Sequence, residues 1–235
     1  MTPDQIGIII QARMGSTRLP GKILLRIGDH LLLEHILLRL ATLRRTVTTV
    51  IATSDTTRDD VVAEFCAAHS VNCFRGSEQN VLDRYYQCAR AYNFQHIIRL
   101  TGDNPFPDIE ELDQLITLHL AGHFDYSNSF ANLPVGVGAE IFTFAALQQS
   151  WQQGKEAHHL EHVNEYMLEH PEIFATALLT VGTVKNKPHV RLTVDTADDY
   201  QRACYIVQAS GMRHVATPQA IALAEEFTLK AIPSC

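Results

Sequence analysis

The stretch QARMGSTRLPGK, Gln11 to Lys22, sets Arg13, Arg18 and Lys22 among Gly15, Ser16, Thr17 and Gly21. Glycines let backbone N–H groups approach an anion closely, and several cations on one short loop could neutralise a polyphosphate. The spacing is not that of a Walker loop, GxxxxGK[ST], because Gly15 and Gly21 stand one residue too far apart and Ile23 follows Lys22. The dinucleotide pattern GxGxxG is also absent. A solvated basic turn would use the same residue types. The loop directly follows the apolar run IGIIIQA, which has the length and content of a buried strand.

A second set of chemical groups comes from two similar pentapeptides, RLTGD at Arg99 to Asp103 and RLTVD at Arg191 to Asp195. Average residue usage makes about one such four-in-five match expected in a chain of this length, so the likeness does not require duplication. Read as strands, each copy points its Arg, Thr and Asp to one face and delivers the Asp to the strand's C-terminal end. In open α/β sheets the ligand crevice lies outside those ends. Asp103 and Asp195 meeting there would suit Mg²⁺, which takes one or two carboxylates and completes its shell with water and phosphate oxygens. The alternative is that each Asp caps a local turn. Asp198 and Asp199, after Thr196, read as first-turn acids of a capped helix.

The run HHLEH, His158 to His162, fits the HxxEH pattern of inverted zinc peptidases, with His158 and His162 one helical turn apart and Glu161 between them. No third ligand is identifiable, and so short a pattern is easily met by chance in a chain with 12 histidines. A helix lining an acceptor site or a dimer surface, or a solvated helix, uses these residues equally well.

Positioning such groups requires a scaffold, and apolar runs alternate with helical periodicity along the chain. Strands are expected at 6–12, 48–54, 71–74, 96–102, 139–144, 174–181 and 189–195. Helices are expected at about 31–44, 57–69, 79–92, 108–121, 144–153, 156–169, 197–210 and 217–227. This is the pattern of an α/β chain with a mainly parallel, doubly wound, Rossmann-like sheet covered by helices on both faces. With 235 residues and no linker-like segment, 1–235 reads as one domain. The segment from about 122 to 190 breaks the alternation and is expected to be a small insertion, an acceptor-site or dimerisation sub-region.

A net charge of -7 and the lack of a Lys/Arg block speak against a nucleic-acid partner. No apolar run approaches the roughly 20 residues that span a bilayer, and no basic region precedes the short apolar run at the N-terminus, so a cytoplasmic location is expected. The cysteines Cys66, Cys73, Cys88, Cys204 and Cys235 are odd in number and lie in apolar segments without a CxxC pair. They read as reduced packing residues.

The string IIIQARMGSTRLPGKIL resembles the opening signature of the nucleotide-sugar cytidylyltransferases, the group that contains acylneuraminate and 3-deoxy-manno-octulosonate cytidylyltransferases. VIATSD, FRGSEQNVLDRYYQCA, RLTGDNPFPDIEELDQLI, EHVNEYMLEHPEIF and HVRLTVDTADDY continue the likeness in the same order, over nearly the whole chain, toward the spore coat polysaccharide biosynthesis branch. The resemblance implies transfer of CMP from CTP to a sugar acid with release of pyrophosphate, a nucleotide-diphospho-sugar transferase type of fold, and a homodimer. It implies that Arg13 and Lys22 act on the triphosphate, with Gly15, Ser16 and Arg18 as further loop contacts. Backbone at Gln11 and Ala12, with Gly76 and Ser77, would edge the cytosine pocket, and Arg84 matches an Asp-Arg pair at a longer spacing than usual. Asp103 and Asp195 match the two aspartates that hold Mg²⁺. Arg99, Glu140 and Arg191 are candidates for the acceptor, or structural ion pairs. Alternatives within nucleotidyl transfer are a phosphonate or phosphorylated polyol acceptor, or another nucleotide; outside it, a non-catalytic nucleotide-binding homologue.

Overall fold

A computed structural model describes residues 5–231, so Cys235 lies outside it. Four strands lie parallel: β1 (Ile6–Gln11), β4 (Thr48–Ser54), β5 (Asn72–Gly76) and β6 (His96–Thr101). The sheet continues through β7 (Tyr126–Asn128), β8 (Glu140–Thr143) and β9 (Thr176–Leu178), giving seven strands in the order β5-β4-β1-β6-β8-β7-β9. β8 pairs antiparallel to both β6 and β7, while β7 and β9 are parallel, so β8 alone runs against the rest. β2 (Arg26–Ile27) and β3 (His30–Leu31) form a small separate hairpin.

Side chains alternate across the sheet as the pleat demands. Ile8 and Ile10 of β1 enter one core and Ile9 the other, all fully buried. Each such side chain contributes about 1.5–3 kcal/mol. The first core is covered by α1 (Leu32–Leu40), α2 (Asp60–Ala68), α4 (Ile109–Gly122), α8 (Ala197–Ser210) and α9 (Thr217–Ala231). The second is covered by α3 (Val81–Ala91), α5 (Phe144–Gln153) and α7 (Glu165–Glu169), so helices lie on both faces. Helix starts have local causes. Asn80, Asp108, Thr143 and Thr196 each accept a backbone N–H of the first turn of α3, α4, α5 and α8.

Several expectations are corrected. The stretch 189–195 is not a strand of the sheet; only an isolated bridge joins Arg191 to Val135. It runs extended because Val135 donates its N–H to the Val190 carbonyl at 2.9 Å and accepts the Leu192 N–H at 2.8 Å, and Gly136, at φ 92, sits against the Thr193 backbone where a Cβ would meet Thr193 N at 2.6 Å. The expected helix 156–169 is two short ones, α6 (Ala157–Glu161) and α7, because His162 leaves the helical region at φ -114, ψ 104. β7 and the β2–β3 hairpin carry too few residues to show a period and were not expected. The segment 122–190 contributes β7, β8 and β9 to the same sheet. Cys66, Cys73, Cys88 and Cys204 are free thiols, buried or half-buried.

Candidate active site

β1 ends at Gln11, and the chain turns into the loop that carries the cations. Asp59, fully buried at the start of α2, anchors this loop: it accepts the Met14 N–H at 2.8 Å and the Ser54 backbone N–H at 3.2 Å, and also the Ser54 hydroxyl. Burial alone would raise its carboxyl, but these hydrogen bonds outweigh that and hold it below the usual carboxylate range. The sequence reading did not single out Asp59; its position in SDTTRD, directly after a strand, is the only signal it leaves. Further along the loop Gly21 takes φ 68, ψ 13, a left-handed conformation that favours glycine, and turns Lys22 back under the loop.

Lys22 is 8% exposed, and its Nζ donates to Asp103 Oδ2 at 2.7 Å and to Asp195 Oδ1 at 2.8 Å. The two carboxylates predicted to converge therefore meet on one ammonium, although they arrive differently. Asp103 follows β6, where Thr101 Oγ1 donates to its Oδ1 at 2.6 Å. Asp195 comes on the extended segment, fastened by Val194 N–H to Asp103 C=O at 2.9 Å and by its own N–H to Asp199 at 3.1 Å. Arg18 and Arg191 add cations to Asp195 at 3.2 and 2.8 Å. Burial would raise the Asp195 carboxyl, but Lys22, Arg18 and Arg191 together hold it below its ordinary value. An Asp-Lys-Asp arrangement leaves two hard oxygen donors around one cationic position, the donor set a small divalent ion takes.

This site lines a cleft of about 440 Å³ at the C-terminal ends of β1 and β6. Gln11, Ala12, Arg13, Gly15, Ser16 and Arg18 of the predicted set line it from the loop side. Arg13 is exposed there and makes no ion pair among the described residues. Arg84 lines it from α3, 2% exposed, with one Nη donating to the Ser77 carbonyl and Nε buried without a protein partner. Burial, with Arg13 nearby, pushes its guanidinium pKa down although Tyr85, Asp59 and Asp55 act the other way. Gly76 and Ser77 back Arg84 rather than line the cleft: Gly76 lies under the Arg84 side chain, which is 3.2 Å from the position of a Cβ.

The three acceptor candidates lie elsewhere. Glu140 is fully buried and pairs with Arg99 across the β6–β8 register, accepting also from Tyr126 Oη at 2.7 Å. Burial would lower the Arg99 guanidinium, but Glu140 raises it overall. Neither Arg99 nor Glu140 lines the cleft, and Arg191 sits outside it, bound to Asp195 and Asp199. In this structure all three make ion pairs within the protein, the structural alternative that the sequence left open, and a buried charge such as Glu140 needs its partner inside the protein.

The zinc-peptidase pattern also fails geometrically. His158 Nε2 and His159 Nε2 both bond Glu169 at 2.7 Å, while His162 is on the cleft. His158, His159 and Glu169 are close enough to share an ion. However, His159 Nδ1 accepts the Glu156 N–H at 3.3 Å, so the neutral ring carries its proton on Nε2 and donates it to Glu169. The cluster is a hydrogen-bonded clamp between α6 and α7. It leaves Glu161 and His162 at the cleft wall.

The profile of a family described as cytidylyltransferase matches residues 7–221. The chain is 39% identical over 218 residues to the spore coat polysaccharide biosynthesis protein SpsF of Bacillus subtilis, which covers 89% of each protein. Over 114 residues it is 32% identical to a 3-deoxy-manno-octulosonate cytidylyltransferase of Solibacter usitatus, covering 48% of this chain and 44% of the relative. Among solved structures, a cytidylyltransferase from Leptospira borgpetersenii superposes with a TM-score of 0.89 at 30% identity over 98% of both chains.

Proposed function

We propose that this chain, which belongs to the cytidylyltransferase family and by that membership is a CTP-dependent nucleotidyltransferase, transfers CMP to a sugar acid for polysaccharide or glycoconjugate synthesis. The observation that carries the reading is the meeting of Asp103 and Asp195 on Lys22 at the floor of a cationic cleft. The acceptor class is supported by two relatives, one named for polysaccharide biosynthesis and one for cytidylyl transfer to a keto sugar acid.

In this reading Asp103 and Asp195 hold a divalent cation, taken to be Mg²⁺, and Lys22 occupies that position in the nucleotide-free protein. When bound, such an ion supplies charge neutralisation at the α-phosphate and lowers the pKa of an oxygen nucleophile. Lys22, released from the carboxylates, is within reach of the triphosphate. Arg13, Arg18 and the loop N–H groups around Gly15 and Ser16 hold the β- and γ-phosphates and offset the charge that develops as pyrophosphate leaves. Arg84 supplies a buried donor for an oxygen of the nucleotide. Ala12 and the Gln11 backbone edge the base. The acceptor oxygen forms the new bond to the α-phosphorus, and the α–β bridging oxygen departs with pyrophosphate, so no covalent enzyme intermediate is involved. The 122–190 segment shapes the acceptor side. It also offers a dimer surface: among the described residues β9 is the outermost strand of the sheet, with Leu178 exposed on it, and Leu168 and Ile173 in the same segment are exposed too.

Pyrophosphate release measured with each of the four NTPs against sugar acids, phosphonates and phosphorylated polyols tests the reaction. Turnover with CTP and a sugar acid is expected; turnover with GTP but not CTP overturns the nucleotide assignment. Asp103→Asn and Asp195→Asn should each abolish turnover, and retention of full metal-dependent activity by both would remove the two-carboxylate site.

A further inference from the structure

Gln11 offers the cleft more than its backbone. Along β1 the side chains alternate, and Gln11 projects with Ile9 toward the second core, away from the phosphate loop, whose Ile23 packs into the first. There Arg99 Nε donates to Gln11 Oε1 at 3.2 Å. A guanidinium has no acceptor, so the carboxamide can face it only with its oxygen. The NH₂ end makes no hydrogen bond to the described residues, and Gln11 lines the cleft, so this end is the part of the side chain left to meet a ligand there.

This orientation is fixed from behind. Arg99 is held by Glu140, Glu140 by Tyr126, and Asn164 donates to Tyr126 Oη at 3.4 Å. The network is buried, with Glu140 fully so, and a satisfied buried network rigidifies what it touches. Glu161 and His162 also line the cleft, at the end of α6, which packs on α3 on the second-core side; their side chains make no hydrogen bond to the described residues.

We infer that Gln11, Glu161 and His162 form a wall that reads sugar hydroxyls, with Gln11 locked by the Arg99–Glu140 pair as its donor. A fixed NH₂ beside a free carboxylate and an imidazole offers both donors and acceptors, which matches groups that donate and accept at once. The opposite, loop-side wall is cationic and matches phosphates. Two ligands bring hydroxyls to this wall, the nucleotide ribose and the sugar acceptor. The inference rests on the cytidylyl-transfer reading for both.

The test uses α,β-methylene CTP, whose P–C bond blocks transfer, its 2′,3′-dideoxy counterpart, and 3-deoxy-manno-octulosonate as probe acceptor. The Gln11 side-chain NH₂ resonance, assigned by its loss in Gln11→Met, is followed during titration, with affinities from calorimetry. A shift with the ribo analogue but not the dideoxy one supports the ribose as source. A shift that appears only when the sugar acid joins the analogue complex supports the acceptor. In either case Gln11→Met and the fold-neutral Glu161→Gln should weaken the hydroxylated ligand about fivefold to tenfold. Equal shifts with both analogues, or no shift and affinities within twofold while the analogue is bound, overturn the inference and leave the transfer reading standing. Absence of analogue binding to the wild-type protein overturns the transfer reading and the inference with it.

Discussion

Replacing Lys22 by Met keeps the length of the side chain and removes the charge that joins Asp103 to Asp195. Two charge-assisted hydrogen bonds are lost, each worth about 1.5–3 kcal/mol when buried. The side chain of Lys22 is 10% exposed, but those of Asp103 and Asp195 are 27% and 19% exposed, and water will screen them once the ammonium is gone. A loss of about 2–3 kcal/mol is therefore expected in the absence of divalent ions. At about 2–4 °C per kcal/mol for a chain of this size, Tm should fall by about 4–12 °C. The sign of the ion dependence is the sharper readout. In the wild-type protein a divalent ion must displace the ammonium from the carboxylates; in Lys22→Met nothing competes. The nucleotide-free variant should therefore bind Mn²⁺ about tenfold more tightly by calorimetry, and at 100 times the Kd should regain about 2.7 kcal/mol of stability. Turnover with CTP should nevertheless fall, since Lys22 no longer reaches the triphosphate. If the variant binds Mn²⁺ no better than the wild type, Lys22 does not stand in the ion's position and the argument fails.

Gly136→Ala should destabilise the chain by about 1–3 kcal/mol from its φ of 92 alone, and the new Cβ, 2.6 Å from Thr193 N, must push back the segment that carries Asp195. Loss of turnover in a variant that still melts cooperatively is expected, and unchanged turnover would show that this contact does not place Asp195. For Asp199, burial would raise the carboxyl, but Arg191, Arg202 and the backbone N–H groups at Asp195 and Thr196 hold it at about 2. Its folded pKa is below the unfolded one, so its stabilisation of about 2 kcal/mol is complete above about pH 4 and is lost as pH falls toward 2. Urea unfolding of Asp199→Asn should show that deficit at pH 7 and a shrinking one below pH 4. His119 is fully buried, and burial, then the neighbouring His96, lowers its pKa to about 4. Below about 6.5 the unfolded chain takes up a proton that the folded chain refuses, so stability is complete above 6.5 and falls by up to about 3 kcal/mol toward pH 4. His119→Gln should flatten the urea-unfolding profile in that window, and an unchanged slope would refute the assignment.

Much of the scaffold was legible because it is local. β1, β4 and β6 are long enough to show their composition, and Thr196 announces its helix by capping chemistry that acts within four residues. The loop from Gln11 to Lys22 was legible for the same reason, as its glycines and cations are contiguous. The stretch HVRLTVD was misread because alternation at 189–195 looks the same whether an extended segment finds strand partners or a single bridge. For Arg99 and Glu140 the sequence left a choice between acceptor contact and ion pair, because it carries no sign that residues 41 apart are paired across β6 and β8, where each becomes the other's counter-charge.

By itself the sequence determined the doubly wound α/β pattern and the cationic loop after the first strand, and it offered Asp103 and Asp195 as a pair that could meet, beside the reading in which each caps a turn. The pattern and the loop follow from periodicity and turn chemistry, readable over short spans, whereas Asp195 arrives on an extended segment outside the sheet. Only the tertiary structure decided what the aspartates meet on, which charges are buried as pairs, and which way the Gln11 carboxamide turns. Burial decides these matters, because a charge or an amide withdrawn from water must take whatever partner the fold brings beside it. Here that partner is Lys22 for Asp103 and Asp195, and Arg99 for Glu140 and for the oxygen of Gln11.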